Sequence, residues 1–154
     1  MSYKPKFYQL LKQQAEGLLY GESNLIANAA NLGSLLYHIL EDVNWVGFYF
    51  HQDNELVLGP FQGQVACTRI ALGQGVCGTA FSCNKTLRIA DVHAFKGHIA
   101  CDSASNSELV IPLNVNNKTI GVLDIDSPAF DRFDEYDQKG CEEIVKILLN
   151  SIEI

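Results

Sequence analysis

The sequence predicts an α+β fold, a central and mainly antiparallel sheet of about six strands with helices on both sides. Three observations predict it. Helical periodicity fills roughly the first forty residues and the last twenty, while the middle alternates like strands. Two pairs of strand-like runs are joined by the two-residue turns Asp53-Asn54 and Asn116-Asn117, which signal hairpins. The length, 154 residues with 47% apolar, suits one domain with a full core, taken here as residues 1–154.

The elements follow in order. Pro5 suits the first turn of a helix over residues 5–20, on which Phe7, Leu10, Leu11, Ala15, Leu18 and Leu19 recur at helical spacing. Gly21 can end it. Ser23 can cap a second helix over 24–41, with Leu25, Ala29, Leu32, Leu36 and Ile39 as its stripe. Gly33 weakens that helix by about 1 kcal/mol and so marks a close approach. Residues 43–50 form a strand with Trp45, Gly47 and Tyr49 on one face and Val46, Phe48 and Phe50 on the other. Residues 55–58 return, and Gly59-Pro60-Phe61-Gln62-Gly63 breaks the strand. Residues 65–71 form a third strand holding Cys67. Gly73-Gln74-Gly75-Val76-Cys77-Gly78 opens a short helix to about Phe81. This turn lacks the Gly-Lys-Ser/Thr of a phosphate loop and reads as a tight turn with exposed N–H groups. Residues 86–89 form a short strand, and 90–107 a loop long enough to carry function. Residues 109–115 and 118–126 form a hairpin in which Pro112 demands an edge or a bulge. Asp131 or Asp134 caps a last helix to about Ile152, with Cys141, Ile144, Val145, Leu148 and Ile152 facing the core.

Composition excludes several classes. A net charge of −7 argues against nucleic acid as a partner. No run of about 18 apolar residues exists to span a membrane. The first residues, M-S-Y-K-P-K-F, lack an apolar signal core, so a cytoplasmic location is expected. Five cysteines in that reducing compartment read as reactive or buried thiols.

The candidate chemistry centres on Gly97-His98-Ile99-Ala100-Cys101-Asp102-Ser103, a polar stretch that continues to Glu108. A cysteine in a loop carried by a strand is placed for reaction. A thiolate there can take an oxygen atom as a sulfenic acid, a second thiol can condense with it, and a third can receive the disulfide. Cys141 and Cys83 fit the plainer reading of small structural residues, and Cys67 on a strand leans the same way. Zinc held by His93, His98, Cys101 and Cys67 has no recognised ligand spacing behind it; no metal and no cofactor are expected. Asp124 and Asp126 share a strand face roughly 6.5 Å apart, the face of Ile120 and Val122. Mutual repulsion raises one carboxyl pKa, suiting the pair to hold an amine or keep an acid protonated. A solvated strand end explains the pair about as well. Glu108, starting the neighbouring hairpin strand, can join them. Trp45 and Tyr49, with Gly47 leaving space between, read as core or as the wall of a small pocket.

The segments G-P-F-Q-G, V-A-C-x-R-I, G-x-G-V-C-G-T-A, D-V-H, G-H-I-A-C-D-S-A-S-N-S-E and I-G-V-L-D-I-D-S occur in this order. Together they resemble the free methionine-(R)-sulfoxide reductases, enzymes built on a single GAF domain. The resemblance runs from Gly21-Glu22 to the last helix. It implies that Cys101 is the catalytic cysteine attacking the sulfoxide sulfur, Cys67 the resolving cysteine forming a disulfide with it, and Cys77 a third cysteine for recycling. It implies that Glu108, Asp124 and Asp126 hold the substrate's amino group and sulfoxide oxygen, and that Trp45 and Tyr49 enclose its methyl end. The implied substrate is free methionine sulfoxide, thioredoxin the implied reductant, and a homodimer is common for such folds. The competing readings are a non-enzymatic GAF module that binds a small ligand and a thiol peroxidase using the same sulfenic-acid cycle.

Overall fold

A computed structural model of the chain describes residues 3–97 and 104–153. Among these residues are helices α1 (Tyr3–Leu19), α2 (Leu25–Ile39), α3 (Gly75–Cys83) and α4 (Glu135–Ser151). The strands are β1 (Trp45–Gln52), β2 (Glu55–Gly63), β3 (Arg69–Ala71), β4 (Leu87–Ile89), β5 (Ser107–Val115) and β6 (Lys118–Ser127). They form one sheet in the order β3-β2-β1-β6-β5-β4, antiparallel at every pairing. None of these helices is long and apolar enough to cross a membrane.

The sheet buries both faces. On one, α1, α2 and α4 pack over Val46, Phe48, Leu109, Ile111, Leu113, Leu123 and Ile125. On the other, Val76, Cys77 and Ala80 of α3 pack over Trp45, Tyr49, Val110 and Val122. The two-face reading of β1 is therefore correct, and the strand period of two is its cause. Ile120 departs from the expected alternation and packs on the three-helix side, because the β5–β6 register shifts at Leu113/Asn114.

The helix stripes are set by the same burial. In α1 it is Tyr8, Leu11, Ala15 and Leu19 that are buried, whereas Leu10 and Leu18 of the expected stripe are exposed. In α2, Asn24 and not Ser23 is the cap, its side chain accepting from the Ala27 N–H at 2.9 Å. Gly33 faces β1, where a Cβ would sit 3.7 Å from Phe48 Cε2. At the start of α4, Asp134 and Asp137 make a reciprocal capping box. That corner clasps the first helix: Lys4 Nζ donates to Asp134 at 2.8 Å and to Asp137 at 2.7 Å, and Tyr8 Oη donates to Asp137 Oδ1 at 2.6 Å.

Both hairpin turns are as expected. Asp53 (φ 51°), Asn54 (φ 66°), Asn116 (φ 52°) and Asn117 (φ 64°) are all left-handed, as the mirror-image two-residue turns require. Two strand boundaries are corrected. β2 does not break at Gly59-Pro60. It runs on to Gly63 through a register shift opposite β1, between Gly47 and Tyr49, which absorbs the irregularity. The third strand is only Arg69–Ala71, so Cys67 lies in the loop before it and not on a strand. Pro112 is tolerated because β4 pairs β5 only from Glu108 to Val110, leaving that side of Pro112 without a strand neighbour.

Candidate active site

Register brings the predicted acidic and aromatic residues into two rows on the α3 face of the sheet. In the first row Trp45 pairs with Asp126, and Asp126 with Glu108. In the second, Gly47 pairs with Asp124, and Asp124 with Val110. Directly opposed residues share a face, so Glu108, Asp124 and Asp126 converge as expected. All three carboxyl groups are buried, at 8%, 6% and 9% exposure.

Cys77 enters this cluster from above the sheet. α3 begins at Gly75 with Gln74 as its cap, and no side chain caps it. The glycine turn serves packing: a Cβ on Gly78 would overlap the Ala71 carbonyl oxygen, so glycine lets the helix lie against β3. Two residues into α3, Cys77 Sγ is 4.0 Å from Glu108 Oε1. This neighbour, 31 residues away in sequence, carried no local signal.

The electrostatics follow from burial and like charge. Burial, then the neighbouring Asp126 and Glu108 charges, push the Asp124 carboxyl well above the usual carboxylate range. Burial likewise raises Glu108. The Cys77 thiol is pushed up by burial, then by Asp124 and Glu108, so it stays protonated. Asp124 Oδ1 is buried without a hydrogen-bond partner among the described residues. The arrangement can therefore present one carboxylic acid as a proton donor and a neighbouring carboxylate to a cation.

Trp45 and Tyr49 are buried in one aromatic cluster that also includes Phe61. Trp45 stacks on Tyr49 at a centroid distance of 6.0 Å and on Phe61 at 5.3 Å. Gly47 leaves no empty space between Trp45 and Tyr49, since the Trp45 ring itself lies over Gly47 and a Cβ there would overlap it and Phe61. Sequence reasoning missed Phe61 because it took residues 59–63 as a break. Its place opposite Gly47 follows once β2 is allowed to continue. Trp45 Nε1 donates to the Gln64 carbonyl at 3.0 Å and Tyr49 Oη to the Cys67 carbonyl at 2.9 Å. These two bonds tie the loop carrying Cys67 to Trp45 and Tyr49.

Of the cysteines, Cys67 is disulfide-bonded. Cys77 and Cys141 are buried free thiols, and Cys83, at the end of α3, is an exposed free thiol. Cys141 packs beneath Tyr8 and burial pushes it up to about 12. Cys101 and His98 lie outside the described residues. His93 is in a short 3-10 turn (Val92–Ala94), its Nε2 3.0 Å from Asn106 Oδ1. That bond anchors the loop to the start of β5.

The family model described as "GAF domain" matches residues 23–154. A relative from Escherichia coli (strain K12), "Free methionine-R-sulfoxide reductase", is 54% identical over 142 residues, covering 92% of this chain and 86% of that protein. The solved structure of "fRMsr of Staphylococcus aureus (complex with substrate)" superposes with a TM-score of 0.91 at 52% identity, covering 95% of each chain. Free methionine-R-sulfoxide reductase from Neisseria meningitidis, solved "in complex with its substrate", superposes with a TM-score of 0.93 at 42% identity over 98% of this chain and 91% of that one.

Proposed function

We propose, from the premise that this chain belongs to the free methionine-R-sulfoxide reductase family of GAF domains, that it reduces free L-methionine-(R)-sulfoxide to methionine in the cytoplasm. The observation that carries this reading is the convergence of Glu108, Asp124 and Asp126 beside the Trp45–Tyr49–Phe61 wall and the tethered Cys67 loop.

The Cys101 thiolate attacks the sulfoxide sulfur, while a carboxylic acid of the cluster delivers a proton to the sulfoxide oxygen. The protonated oxygen passes to Cys101 Sγ as its bond to the substrate sulfur breaks, the transient bond between the two sulfurs breaks with its electron pair left on the substrate sulfur, and methionine leaves with Cys101 as a sulfenic acid. The Cys67 thiol then condenses with it, releasing water and forming a Cys67–Cys101 disulfide, which a thioredoxin dithiol reduces by exchange. The disulfide-bonded state of Cys67, with Cys77, Cys83 and Cys141 free, supports this pairing. Cys77 is buried beside two carboxyl groups, so its part in recycling calls for the site to open before its thiolate forms.

Selectivity for the free amino acid follows from the charge of the site. A free ammonium group pairs with a buried carboxylate, and a peptide nitrogen, uncharged, leaves that carboxylate unpaired. The test is thioredoxin-coupled NADPH consumption with free L-methionine-(R)-sulfoxide, for wild type and Cys101→Ser. Consumption by wild type that falls to background in the variant is expected. Equal rates for the free amino acid and a methionine-sulfoxide peptide would overturn the role given to the acidic cluster.

A further inference from the structure

We propose that Cys77, Glu108 and Asp124 form a binding site for one divalent cation of borderline softness, of the Zn2+ class. The three side chains come from α3, β5 and β6, and one ligand atom from each lies within 4.8 Å of the other two. A tetrahedral zinc ion bound by one sulfur and two oxygens sets its ligand atoms roughly 3.3–3.6 Å apart. Cys77 Sγ and Glu108 Oε1, at 4.0 Å, are already within about half an ångström of that spacing. A thiolate with two carboxylates favours such a cation over Mg2+ or Ca2+, which take oxygen ligands.

A second observation points to a cationic ligand. Asp124 is 6% exposed and its Oδ1 is buried with no hydrogen-bond partner among the described residues. None of the ion pairs there involves Glu108 or Asp124. Two buried carboxyl groups without a lysine or arginine need a cation to ionise together. On binding, Cys77 and the protonated carboxyl release their protons to solvent, and nothing is oxidised or reduced. Three protein ligands leave a fourth position for water.

The cation would occupy the place given above to the substrate's ammonium group, so the two exclude each other. That corollary rests on the proposed function, and the cation site itself does not. The test uses the folded protein with its disulfide intact, stripped of metal by a chelator and titrated with Cd2+. The readout is the ultraviolet thiolate-to-cadmium charge-transfer band, with Zn2+ as competitor. One Cd2+ per chain is expected. The band should vanish in Cys77→Ser, survive in Cys83→Ser, and need at least about tenfold more Cd2+ in Asp124→Asn. A band that survives Cys77→Ser, or no band in folded wild type, overturns the proposal. Asp124→Asn decides the matter if Cys77→Ser does not fold. Free methionine sulfoxide should weaken Cd2+ binding. A band that ignores the amino acid would leave the cation site standing and refute the shared position.

Discussion

Replacing Asp124 with Asn should stabilise the substrate-free protein at neutral pH while nearly abolishing its activity. Carboxylate oxygens of Asp124 and Glu108 lie within 4.8 Å of each other. At that separation two full charges repel by about 3.5 kcal/mol at an effective dielectric of about 20. The folded protein escapes part of this by holding protons: burial raises both groups, and at Asp124 the Asp126 and Glu108 charges add to it. An acid whose folded pKa lies above its unfolded value binds more protons when folded. Its contribution therefore favours folding at low pH and is lost as pH rises through the folded pKa. An Asn side chain keeps the shape, removes that acid, and offers Glu108 a donor. The gain over wild type should be near zero at pH 4 and grow to about 1–3 kcal/mol at pH 8, bounded by the pair repulsion. Urea unfolding across that range, with the denaturant slope checked for constancy, measures it. In the coupled assay kcat/KM should fall by the cost of removing one partner of a buried charge pair, about 2–5 kcal/mol or some thirty- to several-thousand-fold. A stability difference that is flat with pH, or that shrinks as pH rises, would refute the reasoning.

Three further outcomes are expected. Gly33→Ala should stabilise by about 0.5–1 kcal/mol, because the added methyl meets Phe48 at ordinary contact distance; a loss in thermal unfolding would show that α2 is seated closer to the sheet. Tyr8→Phe should cost about 1–3 kcal/mol, since Asp137, 1% exposed, loses its 2.6 Å donor, with turnover unchanged once both proteins are folded. With the disulfide intact, a thiol reagent should label one cysteine quickly, Cys83, and reach Cys77 and Cys141 only on unfolding; peptide mapping identifies them, and rapid labelling of Cys77 would contradict its burial.

Much of the fold was legible because its signals are local. Asp53-Asn54 and Asn116-Asn117 specify their turns through residues that tolerate positive φ, and β1 shows its two faces through alternation alone. What was not legible depends on partners distant in sequence. Gly59-Pro60 looks like a break until β1 is known to accommodate it by a register shift. Leu10 and Leu18 look like core until α4 fixes which side of α1 is covered. In the site, the hairpin places Glu108 near the end of β6, but the turn's own register would set it opposite Ile125; the shift at Leu113/Asn114, which has no local signal, sets it opposite Asp126. The insertion of Cys77 was not readable either, because a helix crossing the sheet announces no partner in its own residues.

The clasp between the first and last helices also sets an order in time. Lys4 waits for Asp137, 133 residues later in the chain. At roughly 5–20 residues per second, α1 leaves the ribosome on the order of ten seconds before α4 exists to cover it. Until then the side of α1 carrying Leu11, Ala15 and Leu19 has only α2 beside it, and the three-helix face of the sheet is incomplete. The domain therefore cannot mature from its N-terminus outward. Its apolar helix face stays partly uncovered while the sheet is being made, and its folding is committed only once α4 has been made.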